Sequence, residues 1–266
     1  GFARGAARAS PGAAGHDPRR LMFGFGRSAT FLLLALLAEI AGTVGGFGSS
    51  VFFVPVANFY FDFHSVLGIT ALFHLSSNAS KLGLFRGGID RGLLLRLGVP
   101  SVLFSILGGM ASAWMLTQWL EATLAVFLLG LSGWMLLRPS WRLAATTRSA
   151  VLGGALSGGM AGLVGTGGAV RGMTMAAFDL RKDVFIATSA AIDMGIDLGR
   201  TVVYARNGYI HGHDLVWVPL LAVVAIAGTW IGKRILSRMP QAMFRRAALL
   251  MVFGIGLVTL YQALRA

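Results

Sequence analysis

The feature that most constrains this chain is a pair of glycine-broken apolar segments at matching positions in its two halves. The first reads Ala41-Gly-Thr-Val-Gly-Gly-Phe-Gly48, and the second reads Ala161-Gly-Leu-Val-Gly-Thr-Gly-Gly168. The second follows the first by 120 residues, and the same shift aligns an Arg-x-Gly motif in both halves. Interrupted apolar segments at equivalent positions point to a binding site between two repeats of a membrane protein.

The composition of the chain indicates a membrane protein. Hydrophobic residues make up 56% of the sequence, charged residues only 12%, and the mean hydropathy is +0.73. Soluble domains carry about 25% charged residues. The sequence lacks the alternation of a β-barrel, so helices must satisfy the backbone in lipid. We therefore predict an all-α polytopic membrane protein with the lipid bilayer as its surroundings.

Ten apolar segments, five in each half, predict the domain organisation. Residues 1–27 are expected to be a disordered or non-native tail, 28–137 the first membrane repeat, 138–147 a cytoplasmic linker and 148–266 the second repeat. The segments at 49–61 and 169–178 are short for a full crossing, which takes roughly 17–25 residues. Each is predicted to be a short span or the returning arm of a re-entrant hairpin.

The distribution of basic residues selects between topologies. If each glycine-broken pair is a hairpin, 13 Lys and Arg residues lie on one face and 3 on the other, leaving the N-terminal tail aside. If each pair is a single crossing, the counts become 9 and 7. Because cytoplasmic loops carry an excess of positive charge, we predict hairpins, two repeats of inverted topology and an N-terminus outside. The formal charge of +13 then reflects topology, and no nucleic acid is expected.

The glycine clusters are the first candidate binding residues. A helix that begins after such a cluster presents unpaired N–H groups and the positive end of its dipole, and two opposed helix starts would cradle an anion. The alternative is that these glycines only allow close helix packing. The predicted cradle comprises Gly45, Gly46, Gly48, Ser49, Ser50, Gly165, Thr166, Gly167 and Gly168.

Ionisable residues inside apolar segments are the second group, because each is costly in lipid. Arg171 and Arg200 are predicted to supply positive charge for an anionic substrate. Asp193 and Asp197 share a helix face, and Asp197 can reach Arg200. In the functional interpretation Asp197 positions Arg200 and Asp193 carries a coupling proton. In the structural interpretation the two acids and two arginines form a neutral network.

The first half offers a polar patch and a lone carboxyl. Ser77 and Asn78 are predicted pocket donors, with His74 beside them in the same helix, although such groups also form bonds between helices. Glu39 is predicted either to carry a proton or to pair with Lys81 or Arg171. Lys81 lies near the basic face and can extend toward water, so we predict that it lies outside the site.

No cofactor, metal or enzyme signature is expected. The chain has no cysteine, which excludes disulfides and thiolate chemistry. His211 and His213 lie in a loop without other predicted ligands nearby, so no metal site is expected. An intramembrane carboxylate pair, Asp193 and Asp197, leaves a membrane-embedded enzyme as an alternative function. A non-transporting membrane scaffold is a third.

The pattern resembles the sulfite exporter TauE/SafE family of membrane permeases. The resemblance covers nearly all of residues 28–264, and its motifs run through both halves. They are Gly42-Thr-Val-Gly-Gly-Phe-Gly48, Val54-Pro55, Thr70-Ala-Leu-Phe, Arg86-Gly-Gly-Ile-Asp90, Gly162-Leu-Val-Gly-Thr-Gly-Gly168 and Arg206-Asn-Gly-Tyr-Ile210. The resemblance implies export of sulfur-containing anions such as sulfite and organosulfonates across the bacterial inner membrane. The glycines at 45, 46, 48, 165, 167 and 168 match the family's glycine motifs.

Three departures from the family pattern bear on the substrate. Phe47 and Thr166 interrupt the usual triple-glycine run, Pro55 has no counterpart at Met175, and Arg171 stands at a position that is ordinarily apolar. Our hypothesis is a permease that binds a small sulfur oxyanion between the hairpins and works by alternating access, with possible proton coupling. The oligomeric state stays open, with a homodimer as one option.

Overall fold

The computed structural model describes residues 18–45, 48–138, 143–236, 238, 250, 253–254, 256–257 and 259–261. Throughout these residues the regular structure is helical, without strands. The helices are α1 (Pro18–Gly45), α2 (Ser50–Ala57), α3 (Phe63–Leu84), α4 (Arg91–Leu93), a π-helical segment (Leu94–Gly98), α5 (Val99–Ser112), α6 (Thr117–Leu137), α7 (Thr147–Val164), α8 (Gly168–Ala176), α9 (Lys182–Arg206), a 3-10 turn (Asp214–Val216) and α10 (Trp217–Leu236). The all-α membrane fold is confirmed.

Four helical stretches within the described residues are long and apolar enough to cross a membrane: Gly26–Gly45, Arg91–Ser112, Thr117–Leu137 and Asp214–Leu236. They present large exposed apolar side chains, among them Leu103 on α5, Val126 on α6 and Val223 on α10. Such a surface suits lipid, which is as apolar as these side chains. The more polar helices α3 and α9 pack against each other, which keeps their charged residues away from lipid.

Helix α2 folds back along α1, so the first glycine-broken segment is a hairpin. Near its start, the Ser49 hydroxyl donates to Glu39 of α1 over 2.6 Å. Farther on, the ring centroids of Phe53 and Phe31 are 5.9 Å apart, and those of Tyr60 and Phe31 are 5.1 Å apart. The chain therefore retraces α1 toward its beginning, as predicted.

Helix α8 folds back along α7 in the same way. The Ser157 hydroxyl of α7 donates to the carbonyl oxygen of Gly167 over 2.8 Å. Seven residues later, Thr174 lies so close to Gly153 that a β-carbon on that glycine would overlap it. Both glycine-broken segments are thus helical hairpins, each with a glycine at positive φ near its tip: Gly48 (+78°) and Gly165 (+79°).

Helices α1, α3 and α10 run in one direction. Trp217, at the start of α10, packs on Phe31 of α1 with ring centroids 5.3 Å apart. Farther along, the Thr229 hydroxyl of α10 donates to Glu39 over 3.0 Å. Near the ends of α3 and α10, the Lys233 ammonium donates to the carbonyl oxygen of Leu84 over 2.6 Å.

Helices α5, α7 and α9 run in the opposite direction. Helix α9 passes Gly87 near its start, where Asp183 packs, and ends where Tyr209 lies 4.4 Å from the His64 ring at the start of α3. Helix α5 runs parallel to α9. Gly98, just before α5, packs on Ile192, and Gly109, farther along α5, packs on Val203, farther along α9. Helix α7 lies against α5 throughout its length.

The helix contacts repeat between the two halves. Helix α1 packs on α10, and α7 packs on α5; α10 also contacts α3, and α5 contacts α9. At the centre α3 meets α9 and α2 meets α8. The α5–α7 contact is close enough that β-carbons on Gly154, Gly158 and Gly162 would overlap the carbonyl oxygens of Leu97, Ser101 and Ser105. Small residues permit such backbone approach in membrane bundles.

Helix α1 extends back to Pro18, ten residues before the predicted start of the first repeat at 28. Residues 1–17 of the predicted tail lie outside the described residues, as do 139–142 of the predicted linker. Helix α6 ends at Leu137 and α7 begins at Thr147. The division into two inverted repeats and a linker stays a prediction, taken up below.

Candidate functional site

The tips of the two hairpins meet inside the bundle. The Thr166 hydroxyl of the second tip donates to the Ser50 hydroxyl of the first over 3.2 Å. A β-carbon on Gly48 would lie 3.5 Å from Nη2 of Arg171 and 3.6 Å from Cα of Gly168. Residues 120 apart in sequence therefore lie side by side, and the second cluster brings a guanidinium to the first.

Glu39 lies at the centre of a buried hydrogen-bonding cluster. Its carboxylate accepts from four hydroxyls, over 2.6 to 3.2 Å, and from one ammonium at 2.9 Å. The five donors are Thr43, Ser49, Ser77, Thr229 and Lys81. Glu39 has no solvent exposure, and pairing plus hydrogen bonds offset the large penalty of burying its charge.

Lys81 belongs to this cluster, which corrects its placement outside the site. It is only 7% exposed, and its ammonium also donates to Ser77 over 2.6 Å. Of the predicted partners for Glu39, Lys81 is the one that the structure shows. His74, also predicted, lies 3.2 Å from the Ser49 hydroxyl through its Nε2.

Arg171 is held by α9 at the junction of the tips. It forms a two-pronged ion pair with Asp193, and its Nε donates to the Ser189 hydroxyl over 3.0 Å. A fork-on-fork arginine–carboxylate pair is among the stronger polar contacts in proteins. Arg171 is 1% exposed. The edge of N–H donors that holds Asp193 would also fit two oxygens of an oxyanion.

Arg200 lies behind the second tip and not between the tips. It pairs with Asp197 at 2.8 Å and donates to the carbonyl oxygens of Ala161 and Gly165 over 3.2 and 3.0 Å. Both carbonyls lie at the end of α7, where the helix dipole is negative; the Gly165 oxygen is past the last helical residue, and the Ala161 oxygen also accepts from the Gly165 N–H. The geometry thus gives Arg200 a C-capping contact. Asn78 donates to Asp197 over 2.7 Å and ties α3 to this pair.

The starts of α2 and α8 suit an approaching anion. Within the described residues, neither N-cap, Ser49 or Gly167, supplies a side-chain hydrogen bond to its helix. Gly167 also serves packing, because a β-carbon there would overlap the carbonyl oxygen of Ser157. Of the other predicted glycines, Gly45 ends α1 and Gly46 lies outside the described residues.

A small cavity of about 20 Å³ adjoins the first tip on the side of Asp193. Space of that size holds about one water molecule. Its polar lining includes Thr43, Lys81, Ser189 and Asp193, with Gly48 at the tip. The cavity thus lies between the Lys81–Glu39 pair and the Arg171–Asp193 pair.

Three contributors were not predicted from the sequence: Thr43, Ser189 and Thr229. Lys81 was named only as a possible partner of Glu39. Ser189 precedes Asp193 by four residues on α9, so the shared helix face was a usable signal. Thr229 comes from α10, 190 residues from Glu39, and no spacing rule predicts that contact.

Comparison with known proteins identifies the family. The chain matches the family described as Sulfite exporter TauE/SafE over residues 31–259. Searches of curated proteins and of solved structures return no match. The match covers the glycine clusters, all the ion pairs described above and both hairpins. The chain is an integral membrane protein that belongs to the sulfite exporter TauE/SafE family, a family of membrane transporters and not of enzymes.

Proposed function

We propose that this protein carries a small oxyanion, of the sulfite or organosulfonate kind, through the junction of its two hairpin tips. The observation that carries the proposal is the meeting of Gly48, Gly168 and Arg171 beside a cavity whose lining includes the polar side chains of Thr43, Lys81, Ser189 and Asp193. Two helix starts, a guanidinium and hydroxyls would then surround the anion. The sulfur chemistry of the substrate is supported by the family description alone.

Arg171 is the proposed anion ligand. Its guanidinium is the described cation closest to Gly48. Its partner Asp193 occupies the edge of N–H donors that an oxyanion would need. The anion would replace the Asp193 carboxylate by offering two oxygens to the same fork of donors. Asp193 is the most exposed of the paired acids, with 16% of its side chain accessible, against 2% or less for Asp197 and Glu39.

A proton on Asp193 would allow this exchange. The described site pairs three cations with three carboxylates: Lys81 with Glu39, Arg171 with Asp193 and Arg200 with Asp197. An added monoanion, such as hydrogen sulfite or an alkylsulfonate, would leave one uncompensated negative charge in a poorly polarisable interior, which is strongly unfavourable. Neutralising Asp193 releases Arg171 and restores the balance. We therefore propose that a proton accompanies the anion.

Inverted repeats would give the alternating access. Helices α1, α3 and α10 run against their proposed counterparts α7, α9 and α5, and the helix contacts of one half recur in the other. Such internal symmetry allows two equivalent states that open to opposite sides. The cavity holds about one water molecule, so the tips must separate to admit an oxyanion.

The basic end of the bundle supports one orientation in the membrane. Arg91 begins α4, Lys182 begins α9, and Lys233 and Arg234 end α10, all at the end where Leu84 meets Lys233. Arg27 and Arg206 lie at the other end. Under the positive-inside rule the basic end faces the cytoplasm. We propose residence in the bacterial inner membrane with the N-terminus outside.

Anion binding to the purified protein tests this proposal. Calorimetry and thermal shift would compare sulfite, sulfoacetate, thiosulfate, sulfate and chloride, using wild type, Arg171→Ala and Arg206→Ala. Arg206 is an exposed arginine at the end of α9, which makes it a matched control. We expect saturable binding of a sulfur oxyanion that Arg171→Ala weakens by at least tenfold and Arg206→Ala leaves unchanged. Absence of binding to folded wild type would overturn the proposal.

A further inference from the structure

A second polar cluster lies in the loop between α9 and α10, remote in sequence from the hairpin tips. His211, His213 and Asp214 each offer one ligand atom, and the three atoms lie within 4.8 Å of one another. Nδ1 of His211 lies 3.2 Å from one Asp214 oxygen, and Nε2 of His213 lies 3.3 Å from the other. No further ligand beside the two histidines was expected from the sequence, and the structure places the Asp214 carboxylate beside both of them.

Asp214 carries a buried acceptor without a hydrogen bond. The residue is 2% exposed, and among the described residues its Oδ1 receives no hydrogen bond. A buried carboxylate oxygen left in this state is rare and unfavourable. Nε2 of His213 lies within ion-pair range of this oxygen, at 3.3 Å, but does not meet hydrogen-bond geometry. This oxygen therefore keeps unused acceptor capacity beside the two imidazoles.

We propose that His211, His213 and Asp214 bind a divalent transition-metal ion of the zinc class. Two ligand atoms held about 2.0–2.1 Å from a tetrahedral ion lie about 3.3 Å apart. Nε2 of His213 lies 3.3 Å from Oδ1 of Asp214, which matches that spacing, and Nδ1 of His211 lies 3.2 Å from the other oxygen of the same carboxylate. The two rings are stacked with centroids 5.3 Å apart, and one ligand atom from each of the three residues lies within 4.8 Å of the others, so side-chain rotation would bring the three to one ion.

The donor set selects the class of metal. Two imidazoles and one carboxylate suit zinc, copper or nickel, whereas calcium and magnesium prefer oxygen ligands alone. Three protein ligands leave the fourth position to water or to a ligand from solution. His213 has 78% of its side chain exposed, which gives an ion a path from solvent.

The ion would fix the loop to the start of α10. Asp214 begins the turn that leads into α10. The Ser65 hydroxyl, in the first turn of α3, lies 3.0 Å from Nδ1 of His211, and an ion bound to that nitrogen would replace this contact. The site lies at the end of the bundle opposite the basic residues. Such a clamp is independent of the proposed anion site.

Metal titration of the full chain, purified in detergent with any affinity tag removed and stripped with EDTA, tests the site. Calorimetry with Zn²⁺ should give a stoichiometry of one ion per chain. Co²⁺ in the same site should show the visible absorption of a four-coordinate complex. We expect His213→Ala and Asp214→Asn to weaken binding at least tenfold. His64→Ala, which removes a nearby histidine outside the cluster, should bind as wild type does.

Two outcomes would overturn the metal site. One is the absence of saturable Zn²⁺ binding by monodisperse wild type, and the other is equal affinity of wild type and His213→Ala. The His213 side chain is largely exposed, so we expect His213→Ala to fold normally. That variant therefore tests the metal site even if Asp214→Asn fails to fold. Arg171→Ala should bind Zn²⁺ normally, so failure of the anion proposal would be seen separately.

Discussion

At the scale of single residues, three cations and three carboxylates at the centre of the bundle are paired one to one. Asp197 and Arg200 lie three apart on α9, so their pairing could be predicted from helix geometry. Glu39 and Lys81 lie on different helices, and only the three-dimensional packing brings them together. Sequence therefore identified the charged residues well but could not assign all their partners.

Removing the Arg200 charge should destabilise the protein more than it affects substrate affinity. Arg200→Met leaves Asp197 buried without its cation and removes the cap of α7, and breaking such a pair costs about 3–5 kcal/mol. Thermal unfolding followed by size-exclusion chromatography would measure the loss. The double variant Arg200→Met with Asp197→Leu should recover a large part of it. A single variant as stable as wild type would contradict the capping role.

Neutralising Asp193 should strengthen anion binding. In Asp193→Asn the Arg171 guanidinium keeps its charge, and the anion no longer competes with a carboxylate. We expect at least tenfold tighter binding at pH 7, or about 1.4 kcal/mol, by calorimetry. Asp197→Asn is the control, because Asp197 pairs with Arg200 behind the tip. Weaker binding in Asp193→Asn than in the control would count against the exchange of carboxylate for anion.

At the scale of helices, glycine serves two different purposes that sequence alone could not separate. Gly48 and Gly165 have positive φ at the hairpin tips, where other residues are strained. Gly158 and Gly162 instead allow α7 to touch α5. Both kinds occur in apolar sequence with similar spacing. The repeat at 120 residues located the hairpins, whereas the packing role needed the position of the neighbouring helix.

Two adjacent glycines of α7 make a matched test of the packing role. A β-carbon on Gly158 would overlap the carbonyl oxygen of Ser101, whereas one on Gly159 meets nothing within 4 Å. Gly158→Ala should lower stability by about 1–3 kcal/mol. Gly159→Ala should be neutral or slightly stabilising, because alanine favours helix. Equal melting temperatures for the two variants would show that α7 does not contact α5 this closely.

At the scale of the whole molecule, the two halves interlock, with α1 packed on α10 and α7 packed on α5. Helix α1 of the first half is packed by α10 of the second, and α7 of the second half is packed by α5 of the first. We therefore expect the two repeats to fold as one unit. The basic residues gather at one end of the bundle, which sequence predicted from the hairpin model. The contacts of α10 with α1 and α3 join opposite ends of the sequence, and hydropathy could not reveal them.

Opposite orientation of the repeats can be tested with introduced cysteines, because the natural chain has none. Arg86 and Arg206 occupy equivalent positions of the two halves, and both are exposed. In intact cells a membrane-impermeant maleimide should label Arg206→Cys and leave Arg86→Cys unlabelled until the membrane is opened. Labelling of both variants from the same side would contradict inverted repeats.

The most direct measurement of the central claim is anion and proton flux in the same proteoliposomes. A gradient of methanesulfonate, a monoanion, would be imposed at pH 7 with a pH-sensitive dye inside, and labelled methanesulfonate would be counted in parallel. We predict that wild type moves the anion with a proton, that Arg171→Ala moves neither, and that Asp193→Asn exchanges the anion without a pH change. Anion flux in wild type with no accompanying proton, or undiminished flux in Arg171→Ala, would contradict the account.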